Sequence, residues 1–161
     1  MKKYILILFP SSAFGAVRNG KRIDRHHRFA SATTTGANTF GCLMDGWVYV
    51  GGRYPELGDT RMYGTYDSFH YYTEEDKLSV NVSVKPGINL SFTILSPQEG
   101  KESTITDIEF GREELENGTA FISRFDTEMK IISVTFGNGK RLTNGRFDIH
   151  YTEHDSSKYP Q

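Results

Sequence analysis

The 161-residue chain carries 11 Phe and 9 Tyr, which is enough apolar bulk to build the core of a single domain. Its 19 Lys and Arg nearly balance its 20 Asp and Glu, and the formal net charge of −1 excludes a global attraction to nucleic acid or to anionic membranes. The single cysteine excludes an intramolecular disulfide and zinc clusters built from several thiolates, and we expect no cofactor.

The first 36 residues have the composition of a targeting segment followed by a linker. Residues 1–16 begin with two lysines after Met1, continue with a short apolar run and end in small residues, as export signals do. Pro10 interrupts the apolar run early, so the alternative is a cytoplasmic chain that begins with an edge strand. Residues 17–36 are basic at first and then rich in Thr, Ala, Ser and Gly, which predicts a flexible linker. We expect a protein of the periplasm or cell surface that has no transmembrane segment, since no stretch approaches the about 20 apolar residues needed.

Residues 37–155 form the predicted β domain, and residues 156–161 form a tail. The domain opens with ANTFGCLMDGWVYV (37–50), in which the turn signal Asp45-Gly46 separates two apolar runs. This order predicts a hairpin with Cys42 and Trp47 in its paired arms.

A tyrosine-rich, glycine-rich stretch follows at residues 51–72. Aromatic rings offer stacking surfaces to a sugar or a peptide, and neighbouring Arg, Asp and His side chains supply directional hydrogen bonds. The side chains that we predict to bind a ligand are Tyr54, Arg61, Tyr63, Tyr66, His70 and Tyr71. In the alternative interpretation, the tyrosines cap the open end of a β-sandwich.

The rest of the domain is dominated by an apolar–polar alternation of period two. KLSVNVSV (77–84) and INLSFTIL (88–95) alternate regularly around a Pro-Gly turn, which predicts a hairpin. Similar runs continue to the closing RFDIHY (146–151), and only GREELENG (111–118) could form a helical turn. About seven to nine strands are predicted, arranged as an antiparallel β-sandwich or, alternatively, as a partly closed β-barrel.

The sequence HYTEH (150–154) matches the H-x-x-E-H pattern of zinc peptidases. That pattern requires a helix, whereas the flanking residues alternate as in a strand, where positions four apart are about 13 Å apart. His26 and His27 lie in the basic linker, where neighbouring cations would repel a metal ion. We therefore predict no metal site and no catalytic residues.

Two motifs carry a family resemblance. NTFGCLMDGWVYV (38–50) and LTNGRFDIHY (142–151) resemble the first hairpin and the last core strand of an uncharacterised β-rich family of exported Bacteroidetes proteins, often lipoproteins. The resemblance implies structural roles for Cys42, Trp47 and Phe147, with Cys42 as a buried, inert thiol. This chain departs from the family by having no cysteine for lipid attachment after its leader, which puts a lipid anchor in doubt.

Three functions compete on this evidence. The favoured one is a non-catalytic binding or accessory module of the cell envelope that recognises a glycan or an envelope protein. The second is an assembly domain that engages a partner protein by its sheet edge. The third is a small hydrolase that uses an acidic residue together with His70 or His150.

Overall fold

The computed structural model describes residues 33–53, 62–63, 68–84 and 87–155, and this part of the chain consists of strands and turns without a helix. It therefore holds no helical segment capable of crossing a membrane. The predicted signal segment, residues 17–32 of the predicted linker and the predicted tail lie outside the described residues. The strands are β1 (Thr39–Met44), β2 (Trp47–Arg53), β3 (Met62–Tyr63), β4 (Ser68–Tyr72), β5 (Lys77–Val84), β6 (Ile88–Leu95), β7 (Glu102–Phe110), β8 (Glu113–Glu114), β9 (Gly118–Asp126), β10 (Ile131–Gly137), β11 (Leu142–His150) and β12 (Thr152–His154).

These strands form one curled sheet. Its order is β12-β4-β5-β6-β7-β9-β10-β11-β1-β2-β3, with β8 beside β7. β12 follows β11 after one residue, Tyr151, and pairs in parallel with β4. Because β12 continues directly from β11, its pairing with β4 connects the two sides of the curled sheet. The all-β prediction is confirmed in its alternative form, a partly closed barrel, because the single sheet covers its apolar face by curling over it and forms no two-sheet sandwich.

The alternation in β5 and β6 explains how this sheet builds a core. Leu78, Val80 and Val82 are almost fully buried, while the serines and the asparagine between them are partly exposed. β6 continues the pattern in register, with Leu78 opposite Ile94. Gly87 in the turn has a φ of 107°, which strongly favours glycine. The predicted hairpin is confirmed.

The first hairpin is also present. Asp45 and Gly46 both have positive φ angles, 49° and 79°, as a two-residue turn of this twist requires. The guanidinium of Arg141 donates to both carboxylate oxygens of Asp45 at 2.8 Å and fixes the turn from the neighbouring strand. Cys42 is buried in the first arm, but Trp47 at the start of the second is 57% exposed and contributes little to the core.

The segment GREELENG does not form the helical turn that its composition allowed. Gly111 and Arg112 make a tight turn, with Gly111 at a φ of 70°, and β8 then pairs back onto the end of β7. The backbone N–H of Leu115 donates to the carbonyl of Ile108 at 2.8 Å, and the Leu115 side chain is buried. Strand hydrogen bonds to β7 thus take the place of helical ones, and burial of Leu115 adds to the stability of this arrangement.

A cluster of phenylalanines fills the middle of the barrel. Phe147 is 3% exposed, and its ring centroid lies 5.6 to 6.5 Å from those of four others. The partners are Phe40, Phe69, Phe92 and Phe136. Tilted and offset contacts of this kind add to the burial energy of the rings.

Residues 33–38 lie across the outer face of the sheet, so the last residues of the predicted flexible linker are held in place. Asp148 anchors them. Its carboxylate accepts hydrogen bonds from the Thr33 hydroxyl at 2.6 Å and from the backbone N–H groups of Thr35, Gly36 and Ala37 at 2.9 to 3.1 Å. The Ser133 hydroxyl supplies a fifth bond at 2.7 Å. We name residues 33–38 the N-terminal strap.

The strap sets the electrostatics of Asp148, which is 1% exposed. Burial alone would raise the pKa of this carboxyl group. The hydrogen bonds from Thr33, Ser133 and the strap backbone outweigh burial, and the pKa is lowered from its ordinary value. Asp148 is therefore a buried carboxylate stabilised in its charged form.

Candidate functional site

The structure describes two of the six predicted ligand-binding side chains. Tyr54, Arg61 and Tyr66 lie outside the described residues. Tyr63 is placed by its backbone in β3, which pairs with β2. His70 and Tyr71 are adjacent in β4 and therefore point to opposite faces of the sheet.

Tyr71 faces the interior. Its ring makes edge contacts with Phe125 and Tyr151, with centroids 5.1 and 5.9 Å apart, and its hydroxyl donates to Asp76 at 2.8 Å. Burial, followed by the hydrogen bond to Asp76, raises the pKa of Tyr71 to about 12. These contacts give Tyr71 a packing role at one end of the barrel.

His70 faces outward and meets two other side chains. His70 Nδ1 lies 3.0 Å from Nε2 of His154 in β12, and the ring of His154 stacks on Tyr72. We name His70 and His154 the imidazole pair. Burial, together with the neighbouring His154, lowers the pKa of His70, which favours its neutral form.

A larger feature lies on the outer face of six neighbouring strands, in the order β7-β9-β10-β11-β1-β2. It is an open cavity of about 730 Å³, which we name the outer groove. One wall is formed by Leu43 and Val48, which are cross-strand partners, and the other by Phe121, which is 43% exposed. Each wall residue lies on the opposite face of its strand from the core, so apolar surface remains outside the barrel.

The floor between the walls is built from small residues. Thr119, Thr135, Gly137 and Thr143 line it, so the groove has hydroxyl groups and backbone at its base. Gly137 has no space for a side chain, because a Cβ there would lie 2.8 Å from the carbonyl oxygen of Leu142. The local packing therefore requires a glycine at this part of the floor.

A cross-strand row contains one acidic and one basic residue of the groove lining. Glu102 is paired with Phe121, Phe121 with Thr135, and Thr135 with Arg146. Four strands at about 4.8 Å spacing separate the acidic and basic positions by about 14 Å. Together the described lining offers apolar walls, hydroxyls and one charge of each sign.

Sequence reasoning did not identify the outer groove. The available signal was an apolar residue on the otherwise polar face of an alternating strand: Phe121 stands between the inward Ala120 and Ile122, and Leu43 stands between Cys42 and Met44. The groove also depends on the pairing of β1 with β11. In this pairing Leu43 lies opposite Thr143, which is far away in the sequence.

Cys42 supplies no reactive group to either feature. Its side chain is fully buried, and burial raises the pKa of its thiol to about 12. A thiol with so high a pKa has almost no nucleophilic thiolate near neutral pH.

No protein-family model, curated protein or solved structure matches the chain. The resemblance to the exported Bacteroidetes family therefore stays a prediction. Function must be inferred from the geometry of the described residues, which form the open outer groove of about 730 Å³.

Proposed function

We propose that the protein is a non-catalytic binding module whose outer groove holds an extended segment of a partner polypeptide. The observation that carries this proposal is the groove itself: about 730 Å³ of open volume with apolar walls on the solvent side of a sheet whose core is already complete. Ligand cavities in proteins commonly span about 300–1,000 Å³ and combine apolar lining with a few polar groups.

The lining favours a polypeptide over a glycan. Sugar rings stack on broad, exposed aromatic faces, whereas the described walls are mostly aliphatic, with Phe121 at one side and Phe136 largely buried beneath. Apolar side chains of a peptide can contact Leu43 and Val48, while its backbone can bond to the threonine hydroxyls of the floor. Glu102 and Arg146 can add charge selectivity.

The assembly alternative has less support from the described edges. β3 and β12, the terminal strands of the sheet order, have two and three residues. All three residues of β12 are polar and exposed. Short, polar edge strands discourage pairing with another chain.

We also propose that the protein is exported. Residues 1–16 contain lysines, an apolar run and small residues, which are typical of an export signal. Fractionation of cells that express the full chain tests it. Accumulation in the cytoplasm with Met1 intact would count against export.

The experiment for the groove is selection of displayed random peptides on the full chain, followed by fluorescence anisotropy with a selected peptide. Phe121→Glu places a charge on one wall, and we expect it to weaken peptide binding at least tenfold. Leu95→Glu is the matched control, because Leu95 is 41% exposed at the end of β6 and does not line the groove. We expect this control to bind within about twofold of the parent.

Two results would reject the groove as the binding site. One is equal affinity of the parent and the Phe121→Glu variant for the selected peptide. The other is a selection in which no peptide is enriched more strongly by the parent than by the Phe121→Glu variant. Thr135→Trp provides a second check, since a large side chain on the floor should block the same peptide.

A further inference from the structure

The imidazole pair joins two residues that are 84 positions apart in the sequence. His70 lies in β4 and His154 in β12, and the parallel pairing of these strands brings the two side chains to the same outer face. Their ring centroids are 4.6 Å apart with an interplanar angle of 77°, and His70 Nδ1 lies 3.0 Å from His154 Nε2. Two ring nitrogens thus meet at hydrogen-bond distance, and both are atoms that can bind a metal ion.

The surroundings hold His154 in this position. Its ring lies nearly parallel to that of Tyr72, at an interplanar angle of 22° and a centroid distance of 5.3 Å. Its backbone carbonyl accepts hydrogen bonds from the N–H and the hydroxyl of Thr73, at 3.2 and 3.4 Å. The ring contact restricts the imidazole and the hydrogen bonds fix its backbone before any ligand arrives, which reduces the ordering cost of binding.

We propose that His70 and His154 form a two-imidazole binding site for a divalent transition-metal ion, with Cu²⁺ as the tightest binder. Metal–nitrogen bonds of about 2.0–2.1 Å place two ligand nitrogens about 2.9 Å apart at a right angle and about 3.3 Å apart at a tetrahedral angle. The observed 3.0 Å lies within this range. Each imidazole then carries its proton on its other ring nitrogen and offers a lone pair to the ion.

The identity of the ion follows from the ligands. Imidazole nitrogen suits Cu²⁺, Ni²⁺ and Zn²⁺, whereas Mg²⁺ and Ca²⁺ prefer oxygen, and affinity among the divalent ions peaks at Cu²⁺. Among the described residues there is no group of three or more His, Cys, Asp or Glu side chains placed to hold a metal ion. Water molecules would therefore complete the coordination of the two-histidine site.

Two lysines in the described part of this region are each ion-paired. Lys77 lies 5.3 Å from the centre of the Tyr72 ring and is ion-paired with Glu75. Lys130 is ion-paired with Glu153, which neighbours His154 and alternates to the other side of β12.

A bound ion would connect β12 to β4 and strengthen the closure of the barrel. It binds the folded state, in which the two histidines meet, more tightly than an unfolded chain that holds them 84 positions apart. Binding must therefore raise the melting temperature, and the rise must continue as the free ion concentration exceeds the dissociation constant.

The test is titration of the full chain with CuSO₄, followed by calorimetry, thermal unfolding and electron paramagnetic resonance of the bound Cu²⁺. His26→Gln and His27→Gln are introduced into every protein so that these adjacent histidines do not contribute. We expect one bound ion, coordination by two imidazole nitrogens in the spectrum, and a raised melting temperature. MgCl₂ serves as the negative control.

Variants then assign the ligands. His70→Gln and His154→Gln should each weaken Cu²⁺ binding at least tenfold and remove the rise in melting temperature. His150→Gln is the matched control, since His150 lies on the outer face near Asn38 and outside the pair, and it should bind as the parent does. Unchanged binding in the first two variants, or a spectrum with fewer than two imidazole nitrogens in the parent, overturns the proposal. The spectrum of the parent decides the question if a variant fails to fold.

Discussion

At the scale of single residues, Phe147 and Trp47 were both predicted to have structural roles, but they differ in burial. Phe147 is 3% exposed and touches four other phenylalanine rings, whereas Trp47 is 57% exposed. Alternation along β11 predicts that Phe147 points inward. It does not predict the exposure of Trp47, which directly follows the turn at Asp45-Gly46, where the hairpin reaches the end of the sheet.

This difference leads to a paired prediction. Phe147→Ala should lower the free energy of unfolding by about 3–5 kcal/mol, because it removes a buried ring and leaves a cavity. Trp47→Ala should change it by no more than about 0.5 kcal/mol, as surface substitutions usually do. Urea denaturation followed by circular dichroism measures both values. Similar losses in the two variants would contradict the assignment of the core.

At the scale of elements, the N-terminal strap depends on one carboxylate in β11. Asp148 occupies a position that alternation assigns to the outer face, so the sequence gives no sign that it is buried. The strap covers it, and three consecutive backbone N–H groups and two hydroxyls turn toward its oxygens. Composition predicted a flexible linker over residues 17–36 because this stretch cannot bury enough apolar surface, whereas the strap is held by hydrogen bonds.

Asp148→Asn tests this anchor. The asparagine side chain has an N–H₂ group where the carboxylate had an acceptor oxygen, so some of the donors around it lose their acceptor. Each unsatisfied buried donor costs about 1–3 kcal/mol. We expect a loss of stability of this size and faster hydrogen exchange at the amides of residues 35–37. Asp107→Asn, at an exposed position, is the control and should change neither quantity.

The same anchor predicts a dependence on pH. The pKa of Asp148 is lower in the folded state than the value of about 3.9 for a free aspartate, so the unfolded chain binds the proton more readily. Its contribution to stability is complete above about pH 4 and is lost as the pH falls through the folded pKa. Acid unfolding of the Asp148→Asn variant should therefore show a shallower slope than that of the parent. Identical slopes would mean that the strap does not stabilise the charged carboxylate.

At the scale of the whole molecule, the sequence predicted strands well and their closure poorly. The hairpins at 45–46 and 85–87 follow from local turn chemistry and alternation, which are properties of neighbouring residues. The closure follows from contacts between distant residues: Gly51 against Val82, and His70 beside His154. The outer groove and the imidazole pair depend on the same long-range pairing, so neither could be read from local patterns.

The approach of β2 to β5 can be tested by a double-mutant cycle. A Cβ at Gly51 would lie 2.6 Å from Cγ1 of Val82, so Gly51→Ala should destabilise the fold by about 1–3 kcal/mol through overpacking. Val82→Ala removes the obstructing methyl group at the cost of a cavity. The double variant should lose less stability than the sum of the two single losses. Strict additivity, measured by urea denaturation, would show that these strands do not touch.

The pairing of β1 with β11 has a consequence for the order in which the chain can fold. Thr39 meets Asp148, and Phe40 meets Phe147, so the first hairpin is synthesised about a hundred residues before its second neighbour. Until then, one edge of β1 and the apolar residues Phe40 and Cys42 lack the strand that covers them in the finished protein. Native structure must therefore complete late and slowly, as in other proteins rich in distant contacts. During that interval the nascent hairpin exposes a strand edge and apolar surface that favour aggregation.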